Sequence, residues 1–208
     1  MQELFNNMAP TWDKDPAKVE RARLAAQIMV DNIPINGMTT MEYGCGTGLL
    51  SFFLQSKLKH VDLMDNSPEM KKVLQGKIKE NGISNMSVVD IDLASHTEEQ
   101  LKEKYNLVYT LMTLHHINDI NTFLNNLNQT IKPKGYLGIF DLVTEDGSFH
   151  LGQPFDGYNG FDKDNLEELL KVNGFKTVLY KSCYFKVQKT FEDETKREYP
   201  LFALIAQK

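Results

Sequence analysis

The apolar positions of this chain switch repeatedly between a helical and an extended period. Residues 16 to 33 carry Val19, Leu24, Ile28 and Val30 on a helix, with Pro16 suited to the first turn and Pro34 and Gly37 past its end. A short β-prone run at 38 to 43 leads into glycines, and Leu49-Leu50-Ser51-Phe52-Phe53-Leu54 then starts a helix to about Lys57. His60-Val61-Asp62-Leu63-Met64 reads as a second strand. A helix follows it, capped by Ser67, opened by Pro68 and stopped near Asn81-Gly82. Residues 86 to 91 give a third strand, and Thr97, Glu98 and Glu99 suit the start of a short helix.

Leu107-Val108-Tyr109-Thr110-Leu111 is apolar enough to be buried on both faces. A helix from about Asp119 to Ile131 follows, and Pro133-Lys134-Gly135 turns the chain into a fifth strand, 136 to 140, ending at Asp141. After a glycine-rich, aromatic loop from Val143 to Phe161, Asp162 caps a helix that ends at Asn173-Gly174. Two strands, about 175 to 187 and 201 to 206, flank a charged tip. Five strands alternating with helices, then an antiparallel hairpin, predict a doubly wound, three-layer α/β/α sheet. Ligands of such sheets sit beyond the carboxyl ends of the strands, at the switch point.

Those strand ends hold the candidate chemistry. The first runs Glu42-Tyr43-Gly44-Cys45-Gly46-Thr47-Gly48, three glycines spaced G-x-G-x-G after an acidic residue. Glycine permits positive φ and close approach of a ligand to the main chain. Leu49 occupies the place where a dinucleotide fingerprint needs its third glycine, which argues against a pyrophosphate ligand and a nicotinamide cofactor. Asp65 closes the second strand, where a carboxylate can accept both hydroxyls of a ribose, and Asn66 beside it can approach an adenine edge. The alternative for Asp65 is a cap on the turn before Ser67. Asp92 follows the third strand, whereas the alternation assigns Asp90 to the strand itself.

In order and spacing these motifs resemble the class I S-adenosylmethionine-dependent methyltransferases, from about Phe5 to the C-terminus. The glycine turn, Asp65 with Ser67-Pro68-Glu69-Met70, Asp92-Leu93, the run from Tyr105 to Leu114-His115-His116, and Lys132 to Leu137 carry the likeness. The resemblance implies a Rossmann-like seven-stranded sheet with a closing C-terminal hairpin. It implies one methyltransferase domain over 1–208: an N-terminal helical lid (1–36), a cofactor-binding core (37–142) and an acceptor-side loop, helix and hairpin (143–208). It also implies S-adenosyl-L-methionine as cofactor, with S-adenosyl-L-homocysteine as product. Gly44, Gly46 and Gly48 would lie against its methionine part, oriented by Glu42. Asp65 would hold the ribose, Asp92 the adenine amino group, Leu93 would offer backbone to the base, and Leu111 would lie beneath the amino-acid end. Asn106 stands where the family usually has Asp, a scaffold change, and Tyr43 packs. Phe5, Trp12 and Asp13 fit an aromatic lid, or Trp12 anchors the helix that starts at Pro16.

Methyl transfer from a sulfonium needs alignment first, and a base only if the acceptor must lose a proton. His115, His150 and Asp141 are the candidates for acceptor-side chemistry. His116 suits a structural role, bonding a backbone carbonyl. His115 and His116 lack a third metal ligand at suitable spacing, so no metal is expected. Phe149, His150, Phe155 and Tyr158 either wall the acceptor pocket or staple the loop to the surface.

Composition narrows the rest. With a net charge of -5 and no Lys/Arg run, nucleic acid is an unlikely partner. Two distant cysteines, Cys45 and Cys183, exclude a disulfide framework and fit a cytoplasmic setting. No apolar run approaches the ~20 residues of a membrane span. The acceptor is therefore expected to be a small molecule, methylated at O, N or C. A protein or peptide methyltransferase and a non-catalytic cofactor binder are the alternatives, and the oligomeric state is open.

Overall fold

A central sheet with helices on both faces positions the candidate residues along one edge. The computed structural model describes residues 2–90, 92–94, 99–153 and 155–208. The chain begins with α1 (Gln2–Met8), a 3-10 segment (Ala9–Lys14) and α2 (Pro16–Asn32). Strand β1 (Thr39–Tyr43) is followed by α3 (Leu49–Leu54), β2 (His60–Met64), α4 (Pro68–Glu80) and β3 (Met86–Val89). The second half supplies β4 (Tyr105–Leu111), α5 (Ile120–Thr130), β5 (Ile131–Leu142), α6 (Lys163–Val172), β6 (Lys176–Thr190) and β7 (Lys196–Gln207). Their order across the sheet is β3-β2-β1-β4-β5-β7-β6. Strands β1 to β5 run parallel, and β7 is antiparallel to both β5 and β6. The order reverses between β1 and β4, and in sheets of this kind ligands bind at the crevice formed by the carboxyl ends of such strands.

Alternation decides which side chains face which helical layer. Along β7, Leu201, Ala203 and Ile205 join the core beneath α2 and α3, while Phe202, Leu204 and Ala206 join the core that contains α5 and α6. The helix caps at Ser67 and Asp162 form as the sequence predicts, accepting from the Met70 and Asn165 amides, and Asp119 caps α5 through the Thr122 amide. Asn106 accepts from the Thr39 amide at 3.1 Å, a scaffold tie between β4 and β1. Among the described residues no helix is long and apolar enough to cross a membrane.

Several expected boundaries are wrong for identifiable reasons. Strand β3 stops at Val89, because its only neighbour β2 ends at Met64, opposite Val89. Asp90 therefore lies outside the strand, exposed and paired with Lys71. Pro133-Lys134-Gly135 does not end one element and start another but forms an irregularity inside β5: pairing jumps from Tyr105–Ile131 to Leu107–Tyr136, and Lys134 takes φ 64°. Strands β6 and β7 run well past their predicted ends, with Lys189 paired to Arg197 and Thr190 to Lys196. Thr97, Glu98 and Ile91 lie outside the described residues; only the 3-10 turn Glu99–Leu101 of the predicted short helix is described.

A buried polar network ties β1, α3 and β4 beneath the crevice. Glu42, 2% exposed, accepts from the Ser51 amide at 3.2 Å and bonds the Ser51 hydroxyl, which also lies 2.7 Å from Tyr109 Oη. Burial raises the Glu42 carboxyl from 4.5 to about 8, and the Ser51 bonds only partly offset that. Between those two values the folded chain keeps a proton that the unfolded chain has released. Glu42 therefore stabilises the fold most below the lower value, and that contribution is lost as pH rises through the upper one, at no more than about 1.4 kcal/mol per pH unit. Urea denaturation of the ligand-free chain from pH 5 to 8 should thus destabilise the wild type more than Glu42→Gln. Parallel pH profiles for the two proteins would contradict a protonated Glu42.

Candidate active site

The glycine turn after β1 is shaped by its protein neighbours as much as by any ligand. Gly44, Gly46 and Gly48 all take positive φ, 71°, 53° and 79°. A Cβ at Gly44 would meet Thr113 at 2.3 Å, and one at Gly48 would meet Leu74 Cδ1 at 2.7 Å. These two glycines let the end of β4 and helix α4 approach closely. A Cβ at Gly46, by contrast, would meet nothing nearer than Met70 Sδ at 3.9 Å. Gly46 is the member of the motif that no protein atom crowds.

Asp65 joins that turn to the end of β2. Its Oδ2 accepts from the Gly46 amide at 2.7 Å and its Oδ1 from the Ser67 amide at 2.8 Å. Of the two sequence readings of Asp65, the cap on the turn before α4 is present, and the same carboxylate also grips the glycine loop. Burial raises its carboxyl, and the two amides counter only part of the rise. Each oxygen retains acceptor capacity after one such bond. The open face at Gly46 beside a carboxylate therefore fits a sugar diol next to a group resting on the main chain.

The remaining cofactor-side candidates surround this crevice unevenly. Asn66 is exposed, and its carbonyl accepts from Gln2 Nε2 at 2.5 Å. Asp92 is exposed and accepts from the Ala94 amide at 3.1 Å. The Leu93 side chain is fully buried, and its carbonyl accepts from Asn126 at 2.9 Å. Leu111 is partly buried, followed by Met112 with φ 56°. Tyr43 packs on Phe123, with ring centroids 4.7 Å apart.

The N-terminal segment is fastened over the same turn. Asp13 accepts from the Thr47 hydroxyl and pairs with Lys77 at 2.5 Å, while Lys77 also donates to the Thr47 carbonyl at 2.9 Å. Asn6 accepts from the Ser67 hydroxyl at 2.6 Å. Trp12 lies edge-on to Phe5 at 6.0 Å and beneath the Lys18 ammonium. Phe5 in turn meets the His116 ring at 5.6 Å, so the segment spans from the glycine turn to the end of β4.

Across the crevice, the 3-10 turn Leu114–His116 and the loop after β5 bring the acceptor-side candidates together. Asp141, fully buried, faces His115: Oδ1 lies 2.5 Å from Nδ1, and Oδ2 accepts from the His115 amide at 3.3 Å. Burial alone would raise the Asp141 carboxyl, but the His115 ring and the Leu142 and His115 amides hold it below its ordinary value. The other ring nitrogen of His115, Nε2, has no hydrogen-bond partner in Asp141. The loop returns to this point because the Tyr158 amide donates to the His115 carbonyl at 2.8 Å, and Gly157 leaves room where a Cβ would sit 2.1 Å from that oxygen.

That return places His150 beside the pair, 5.3 Å from both His115 and His116 by ring centroid, and stacked on Phe155 at 3.8 Å. The aromatic loop residues Phe149, His150 and Phe155 therefore wall the histidine pair, and Tyr158 is left partly exposed. The His116 amide donates to the Thr113 carbonyl at 3.0 Å, but among the described residues its ring bonds no backbone carbonyl. Among the described residues its ring makes aromatic contacts alone, to Phe5, His115, His150 and Phe155. Burial, then the neighbouring His115, lower His116 to about 3. Burial lowers His150 to about 4, despite its contact with Gln153. Sequence spacing offers the histidine pair no third ligand, but the fold brings one: one ring nitrogen from each of His115, His116 and His150 lies within 4.8 Å of the others.

Two buried groups on this side escape sequence reasoning. Arg21 of α2 is 9% exposed, makes no ion pair among the described residues, and leaves its Nε without a partner. The Tyr184 hydroxyl on β6 is buried and likewise unpartnered, within electrostatic reach of Arg21 and Asp141. Arg21 sits on the helix at the spacing of ordinary surface arginines, and only tertiary packing reveals its burial.

Residues 16–180 match the family model of the methyltransferase domain. An uncharacterized methyltransferase of Schizosaccharomyces pombe is 30% identical over 122 residues, covering 55% of this chain and 42% of that protein. Malonyl-(acyl-carrier protein) O-methyltransferase 2 of Ilyobacter polytropus is 26% identical over 161 residues, covering 76% of this chain and 59% of that protein. The chain thus aligns with about half the length of these curated relatives. A solved S-adenosylmethionine-dependent methyltransferase of Aquifex aeolicus shares the fold, with a TM-score of 0.64 at 19% identity over 93% of this chain and 98% of its own. With the strand order, the glycine turn and the family model in agreement, the chain belongs to the class I S-adenosylmethionine-dependent methyltransferase family.

Proposed function

We propose that this chain transfers a methyl group from S-adenosylmethionine to a small-molecule acceptor at O, N or C. When bound, the cofactor supplies a methyl on a positively charged sulfur, a donor already activated for displacement. The observation that carries the cofactor half of this reading is the Asp65 carboxylate on the Gly46 amide, beside the open face of the glycine turn. In this reading Asp65 accepts from the ribose hydroxyls, with Asn66 and Asp92 toward the adenine and the Leu93 backbone alongside. Gly44, Gly46, Gly48, Glu42 and Leu111 border the amino-acid end. Trp12 and Phe5 keep water from the transfer. Residues 1–36 then act as lid, 37–142 as cofactor core and 143–208 as acceptor side.

The acceptor side supports a small molecule over a peptide. His115 is 1% exposed and enclosed by aromatic rings, surroundings that suit a small molecule better than a peptide chain. Arg21 and Tyr184 add buried donors without partners, which favour an acceptor with an acidic group. Asp141 fixes the tautomer of His115, whose Nε2 is the acceptor-side atom of the pair, with His150 next to it. A cytoplasmic setting accords with the two free cysteines, Cys45 buried and Cys183 exposed.

Incubation with methyl-labelled S-adenosylmethionine and a cell extract should place label in the dialysable metabolite fraction. Label confined to protein would favour a peptide acceptor, and cofactor binding without transfer to any fraction would identify a non-catalytic binder. Separately, Asp65→Ala should weaken S-adenosylhomocysteine binding by roughly 1–3 kcal/mol, or about 5- to 150-fold, on calorimetric titration. Unchanged affinity would remove Asp65 from the cofactor site.

A further inference from the structure

Three imidazoles in one buried cluster raise a question that packing alone does not answer. His115 is 1% and His150 8% exposed, and His116 is half-buried under Phe5. Phenylalanine would fill the same space without burying ring nitrogens that need partners. His150 Nε2 is such a nitrogen: it is buried and has no hydrogen-bond partner, while Nδ1 of the same ring lies 3.3 Å from Gln153 Oε1. The His116 ring makes no hydrogen bond among the described residues. His115 is held differently, with Nδ1 on Asp141 and its backbone amide on the second Asp141 oxygen. A carboxylate on the far nitrogen of an imidazole is the arrangement that fixes a metal ligand's tautomer and raises its basicity.

We infer that His115, His116 and His150 form a binding site for a divalent transition metal of the zinc class. The ligand nitrogens, one from each ring, already lie within 4.8 Å of one another. Zinc–nitrogen bonds of about 2.0–2.1 Å in tetrahedral geometry place ligand nitrogens roughly 3.4 Å apart. The rings therefore close by about an ångström or less of side-chain movement to seat the ion. Phe149 and Phe155 supply the apolar shell around it. Three neutral imidazoles leave one tetrahedral position open, the pattern of catalytic rather than structural zinc.

The role of that open position rests on the methyl-transfer reading, whereas the binding of the ion does not. An acceptor hydroxyl or thiol coordinated there loses its proton to solvent at a lower pH than in water. The heteroatom's lone pair then forms the bond to the methyl carbon as the carbon–sulfur bond breaks, and that bond's electron pair stays on sulfur. His115 acts in this arrangement as a ligand positioned by Asp141, and the metal replaces the general base.

The test uses the full chain without methyl donor. Zinc titrated by calorimetry should bind at one site per chain, and cobalt(II) should give the intense visible bands of four-coordinate geometry. His150→Ala and His116→Ala should each weaken zinc binding at least tenfold and abolish those bands. Binding of S-adenosylhomocysteine, measured in parallel, checks that each variant is folded. His116, being half-buried, keeps the test valid if the His150 variant fails to fold. No zinc binding by the wild type, or equal affinity in a folded variant, overturns the site. A chain that binds S-adenosylhomocysteine but not zinc overturns the metal site alone. One that binds zinc but not S-adenosylhomocysteine overturns the cofactor reading alone.

Discussion

The Asp65 carboxylate, suspended between the amides of Gly46 and Ser67, is the constraint on which the crevice depends. It fixes the glycine turn relative to the end of β2 and at the same time sets the first turn of α4. Those amides neutralise part of the cost of holding a carboxylate out of water, yet burial still leaves its affinity for a proton raised. A charge-assisted acceptor kept in that condition is poised for further donors. Glu42 and Ser51 lie beneath the turn and complete its foundation, joined through Tyr109 to β4.

The N-terminal segment is clipped to the same structure rather than laid over it loosely. Asp13 reaches both Thr47 in the glycine turn and Lys77 in α4, and Asn6 reaches Ser67 at the α4 cap. Any movement of this segment must therefore break bonds to the glycine turn and α4. Through Phe5 and His116 the same movement disturbs the histidine cluster. The glycine turn, the N-terminal segment and the histidine cluster are thereby connected in one physical chain of contacts.

Much of this was legible in the sequence where local chemistry decides structure. Strand β2 agrees to the residue, because a short apolar run bounded by polar residues has one natural reading. The caps at Ser67 and Asp162 likewise follow from side chains that serve their own backbone. Reading failed where a distant partner decides. Strand β3 ends at Val89 because β2 has no further residue to offer, which the alternation through Asp90 does not reveal. The charged residues Lys189, Lys196 and Arg197 suggested a loop, yet backbone pairing carries the hairpin through them. In the site, Asp65 and the glycines announced themselves by motif. His150 was a candidate by residue type, but its place beside His115 was not legible, since it arises only because Gly157 and the Tyr158 amide turn the loop back onto the His115 carbonyl. Arg21 was equally silent, a charged residue whose burial only packing creates.

Hydrogen–deuterium exchange of the full chain with and without S-adenosylhomocysteine tests the central claim most directly, because it reads the backbone amides themselves. Exchange should slow in the glycine turn, at residues 65–67 and in the N-terminal segment fastened to them, with little change in the hairpin formed by β6 and β7. Protection confined to other regions, or none at saturating ligand, would contradict it.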